Sequence, residues 1–106
     1  MGFVEFKDGD RVFYIKELTL GDLRRYLSRA MKREFAADGS VREYFNTADS
    51  LPALLNVCVY VEENGSKRPL NEKEADDLSA DLALKLIDAC FKANPSLARG
   101  FPTQTP

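Results

Sequence analysis

Apolar residues fall in runs whose spacing changes along the chain, and the changes predict the elements. Phe3, Val4 and Phe6 come first, followed by Val12, Phe13, Tyr14 and Ile15. These are the β-branched and aromatic types that strands favour. Asp8-Gly9-Asp10 separates the two runs, and Gly9 can take the positive φ of a tight hairpin turn. An isolated hairpin is marginal in water, so this one must pack on something. The spacing then turns helical. Leu20, Leu23, Leu27, Ala30 and Met31 recur on one stripe, and Phe35 extends it. Thr19 is the predicted N-cap, with Asp22 in the first turn near the positive end of the helix dipole. The helix is expected to end near Ala37, where Asp38-Gly39-Ser40 breaks it.

Val41 to Phe45 carries no decisive period. Asp49-Ser50 before Leu51-Pro52 marks a second helix start, since Pro is tolerated at the first helical position. Leu51, Leu54, Leu55, Cys58, Val59 and Val61 then make a segment apolar nearly all round. A central buried helix is the first reading. Val57 to Val61 is also β-rich, and a buried strand there stays open. Asn64-Gly65 makes a turn. Asn71-Glu72-Lys73-Glu74 resembles a capping box, and Ala75, Leu78, Leu82, Leu86, Ile87, Cys90 and Phe91 give one face of a last long helix. Asn94-Pro95 stops it. The expected fold is α+β and helix-dominated: an N-terminal β-hairpin packed on about three helices. Residues 1–95 form one domain and 96–106 a mobile tail. The expected core holds Phe6, Val12, Tyr14, Leu20, Leu23, Leu27, Leu54, Leu55, Cys58, Leu78, Leu82 and Leu86.

Composition narrows the function. The chain has 106 residues, enough to bury a core without staples. A net charge of −2 argues against whole-molecule attraction to nucleic acid or an anionic membrane. Histidine is absent, which removes the commonest neutral-pH base and the commonest metal ligand. Cys58 and Cys90 sit in apolar runs and read first as reduced core thiols, with a disulfide or a reactive thiol left open. No run reaches the ~20 apolar residues of a membrane span, and the early strand is unlike a signal peptide. A cytoplasmic location is expected. No catalytic residue, cofactor or metal site is expected. No Ser or Cys has a histidine base, and the acids lack the loop spacing of a calcium site.

Charge patterning supplies the candidate surface. Arg24, Arg25, Arg29, Lys32 and Arg33 fall within ten residues with no acid between them. On a continuous helix Arg25, Arg29 and Lys32 share one face. The bland account is a solvated helix face. The functional one is a patch for an acidic partner, with Arg25, Tyr26, Arg29, Lys32 and Arg33 as candidate contacts. Nucleic acid is not expected there, because no stacking aromatics are interleaved. Glu72, Glu74, Asp76, Asp77 and Asp81 mirror that run on the last helix. Their place in its first turns suits the dipole. A basic face on one helix and an acidic face on another could also meet head-to-tail in a homo-oligomer.

The hairpin FKDGDRVFYIK leading into LTLGDLR, the leucine-rich centre and the closing LIDACFKANP together resemble the tail assembly chaperones of long-tailed bacteriophages and prophages. The resemblance covers roughly residues 3–95 and is most telling over Leu18 to Leu23. It implies a small, mostly helical, non-catalytic protein. Such a protein binds the tape measure protein, keeps it soluble while tail tube subunits polymerise around it, and acts in the bacterial host cell. Many members are also made in a longer, frameshifted form. The Pro-containing tail departs from the pattern. Another small phage tail or connector protein, a host adaptor or regulatory domain using the Arg-rich helix, and an antitoxin-like or inhibitor protein are the alternatives.

Overall fold

The computed structural model describes residues 2–98. They form five helices and six strands in an α+β arrangement. β1 (Phe3–Asp8) and β2 (Arg11–Lys16) make the N-terminal hairpin, with Asp8 opposite Arg11 across a two-residue loop where Gly9 takes φ +61°. α1 (Leu20–Ala30) follows, then β3 (Met31–Phe35) and β4 (Val41–Phe45). α2 (Thr47–Cys58) runs into β5 (Val59–Glu63). The Asn64-Gly65 turn, with φ +53° and +81°, leads to β6 (Ser66–Pro69). Both turn residues are left-handed, as a two-residue hairpin matched to strand twist requires. α3 (Glu72–Asp76), α4 (Ala80–Ala93) and α5 (Pro95–Ala98) complete the chain. α1, α2 and α4, of 11, 12 and 14 residues, are the three expected helices.

β1, β2, β5 and β6 lie side by side in one antiparallel sheet. α2 and α4 cover one of its faces, and α1 packs on α2. The core lies between the layers, around Phe13, Ile15, Leu54, Leu55, Cys58, Val59, Leu70, Leu86 and Cys90. β3 and β4 form a separate two-stranded sheet.

Several expectations are corrected. α1 stops at Ala30 and does not reach Ala37; Met31 is its extended C-cap, and its N–H still closes on the Leu27 carbonyl. The chain then enters β3 without a loop. Asp38-Gly39-Ser40 is a reversal between strands, closed by Gly39 N–H on the Ala36 carbonyl at 3.0 Å. The central segment splits: helix to Cys58, strand from Val59. The last helix is broken, because Ser79 caps Leu82 N–H at 3.2 Å and starts α4 afresh. Within β2 the buried side chains are Phe13 and Ile15, not Val12 and Tyr14, which share the outward face with Lys16. Leu20 is 73% exposed and outside the core. Phe6, Leu23, Leu27 and Leu78 pack against the core while partly buried. In the expected tail, Leu97 on α5 is partly buried against the core; 99–106 lie outside the described residues.

Candidate functional site

The five candidate contacts divide between two elements. Arg25, Tyr26 and Arg29 sit on α1, while Lys32 and Arg33 sit on β3, so no single helix face carries the cluster. Each candidate cation meets an acid of the same chain. Arg25 pairs with Asp22, and Arg29 with Glu72. Lys32 Nζ lies 3.0 Å from Asp49, and Arg33 Nε 2.9 Å from Glu43. Of the basic run, Arg24 makes no ion pair among the described residues. The pairs of Arg29, Lys32 and Arg33, exposed on both sides, are worth ~0–1 kcal/mol each. The Arg29–Glu72 pair joins the basic and acidic stretches inside one chain.

Asp22 anchors the start of α1. Its side chain is buried, and Lys16 Nζ reaches it at 2.9 Å. It accepts the Thr19 N–H at 3.0 Å while its own N–H donates to Thr19 Oγ1 at 3.2 Å, a closed capping box. Burial alone raises the carboxyl pKa. The Thr19 backbone and the Lys16 ammonium outweigh it and hold the group below its ordinary range. Lys16 is raised in return, chiefly by its hydrogen bond to Asp22. Tyr26 is buried, and burial raises its hydroxyl pKa.

The β3–β4 ribbon is the most exposed apolar feature. Met31 pairs with Phe45, Arg33 with Glu43 and Phe35 with Val41, so these six side chains share one face. Met31, Phe35, Val41 and Phe45 are all exposed, Phe35 by 75%. The opposite face is polar: Arg42 pairs with Glu34 and lies 5.6 Å from the Tyr44 ring centre. The ribbon is rooted at its base. Asn46 N–H donates to the Ala30 carbonyl at 2.7 Å, and the Phe45 ring meets Tyr26 edge-on at 6.3 Å. Beyond that root it projects, and the molecule measures 54 × 26 × 24 Å. Sequence reasoning placed Met31 and Phe35 on the buried stripe of a helix. The alternation that marks them as strand was readable only once Val41 to Phe45 was paired with them.

A second surface was also hidden in the sequence. The outer face of the large sheet carries Phe3, Tyr14 and Tyr60, with Phe3 edge-on to Tyr60 at 5.1 Å. Lys67 Nζ lies 4.5 Å from the Tyr14 ring centre, and the Tyr14 hydroxyl donates to Glu62 at 3.0 Å. That hydrogen bond raises the Tyr14 pKa. The rings are engaged with one another and with Lys67, and Glu5 and Glu62 share the face with Lys7, Lys16 and Lys67, so it carries charge of both signs. Among the described residues no three His, Cys, Asp or Glu side chains are grouped to hold a metal ion, and no helix is long and apolar enough to cross a membrane. Comparison of the chain with protein-family models, curated proteins and solved structures gave no match.

Proposed function

We propose that this chain is a non-catalytic protein-binding module, and specifically a tail assembly chaperone of a long-tailed phage or prophage. In this reading it holds the tape measure protein in the bacterial cytoplasm until tail tube subunits assemble around it. The β3–β4 ribbon carries the reading. A two-stranded ribbon is marginal alone, and an apolar face open to water favours being covered. Of the five candidate contacts, Arg33 lies on the apolar face a client would meet, and Lys32 on the opposite face of the same ribbon. Arg33 and Glu43 divide the apolar face into two halves and give it a polar register mark. The Phe3–Leu27 resemblance supplies the identity of the client.

The test is co-expression. A tape measure fragment made with this protein should move from the pellet to the soluble fraction. The Phe35→Asp and Val41→Asp double substitution should abolish that rescue while the variant itself stays folded. A fragment that stays insoluble with wild-type protein, from the same genome and at equal expression, rules the chaperone reading out.

A further inference from the structure

α2 and α4 lie together over the sheet, and their outward flanks leave an open trough. On α2 it is walled by Ala48, Leu51, Pro52 and Leu55. On α4 it is walled by Ala80, Ala83, Leu84 and Ile87. Each quartet follows the i, i+3, i+4, i+7 spacing of one helix face. Two such faces meeting at an open seam are two sides of a three-helix contact whose third member is missing. Leu55 and Ile87 are buried and form the floor. Leu51 and Leu84 stand at the rims, Leu84 with 59% of its surface exposed. The three alanines keep the walls low, which lets a helix backbone come close. Each wall is roughly 11 Å long, about two helical turns.

The trough is acidic at one end. Asp76, at the end of α3, is its one charged lining residue. The neighbouring acids are already engaged, Glu72 with Arg29 and Glu74 with Arg68. Asp76 and the adjacent Asp77 make no ion pair among the described residues. Asp76 therefore sits unpaired where an incoming helix would lie, while Asp77 lines the neighbouring hollow beside Arg68.

We infer that the α2–α4 trough binds an amphipathic helix of a partner protein, one whose apolar stripe is flanked by Lys or Arg. This rests on the protein-binding reading but not on the phage assignment. Shape selects the helix and Asp76 selects its sign of charge. The trough is separate from the β3–β4 ribbon and shares no residue with it.

A fluorescein-labelled synthetic peptide tests this directly. It has about 18 residues, long enough to sample helix, with Leu at i, i+3, i+4 and i+7 and Lys on the flanks. A twin carries Glu in place of Lys. Titrated with the full chain in fluorescence anisotropy, the Lys peptide should bind about tenfold more tightly than its twin. The gap should close as NaCl rises to roughly 0.5 M. Leu84→Asp should weaken Lys-peptide binding by about tenfold or more, with circular dichroism and melting unchanged. Asp76→Lys should favour the Glu twin. Equal binding of the two peptides, no binding of either, or full affinity in Leu84→Asp overturns the inference. So does light scattering that shows a dimer dissolved by Leu84→Asp, which gives the trough to a second copy. A tape measure fragment left insoluble while the Lys peptide still binds defeats the chaperone reading alone. Rescue of that fragment with no peptide binding defeats this inference alone.

Discussion

Asn94 ties the loop after β2 to the end of α4 through three bonds to backbone groups. Its Oδ1 accepts the Leu18 N–H at 2.7 Å, and its Nδ2 donates to the carbonyls of Lys16 at 3.1 Å and Cys90 at 3.0 Å. One buried amide thus fixes the loop after β2 against the last turn of α4, where carbonyls lack helical partners. Asn94→Ala orphans a buried donor and should cost ~2–3 kcal/mol in urea denaturation. Asn94→Asp keeps the acceptor but sets a carboxylate against two carbonyls, and should do no better. The sequence showed only the helix-stopping role of this residue, because its partners lie more than seventy positions away in two of the three bonds. Glu74 makes the acid-sensitive contact. Arg68 grips it through both oxygens at 2.8 and 2.7 Å, and with the Asn71 N–H holds its pKa at about 2 against an ordinary 4.5. A depressed carboxylate stabilises the fold above pH 4.5 and loses that contribution as pH falls toward about 2. The side chain is partly exposed, so solvent screening keeps the effect modest. Melting temperatures of wild type and Glu74→Gln should differ at neutral pH and converge across that window.

At the scale of elements, the three long helices, the first hairpin and the Asn64-Gly65 turn were all legible. Capping residues and left-handed turn positions are local signals. The helix-to-strand junctions were not. α1 passes into β3, and α2 into β5, with no glycine or proline between, and both C-caps are extended residues: Met31 at φ −89°, ψ 134° and Val59 at φ −105°, ψ 127°. Helical spacing ran on past each junction because Met31, Phe35 and Val61 happen to fit both periods. Tertiary pairing decides these segments: Val59 with Ile15, and Met31 with Phe45. The β2 face was misread for a different reason. Val12, Phe13, Tyr14 and Ile15 are all apolar, and only the parity of Lys16 points to the outward side. Phe13→Ala should therefore cost ~3–5 kcal/mol, while Leu20→Ala should stay within about 0.5 kcal/mol of wild type in the same denaturation series. The candidate surface was half legible. The basic residues were found, but their acid partners sit on other elements and could not be seen from spacing.

Taken whole, the molecule is longer than its chain length requires. The radius of gyration is 15.5 Å, where a compact domain of this length has about 13 Å. The projecting β3–β4 ribbon adds to this length, and small-angle scattering should report the larger value. The ribbon leaves and re-enters the body side by side, at the Ala30 carbonyl and the Asn46 N–H. Replacing residues 31–45 with a short Gly-containing turn should leave a body that melts cooperatively within about 5 °C of wild type. If the chaperone proposal holds, the same deletion abolishes tape measure rescue. Cys58 and Cys90 share the deepest part of this body, both wholly shielded from solvent, and Cys58 Sγ donates to the Lys16 carbonyl at 3.3 Å. The hydrogen bond to Cys58, together with burial, raises the Cys90 pKa and keeps that thiol protonated. Nature has thereby placed two silent clocks in the interior. An alkylating dye can reach either sulfur only when the layers part, so its uptake rate in undenatured solution times how often the whole structure opens, and a bound client that clamps the layers will slow both clocks together.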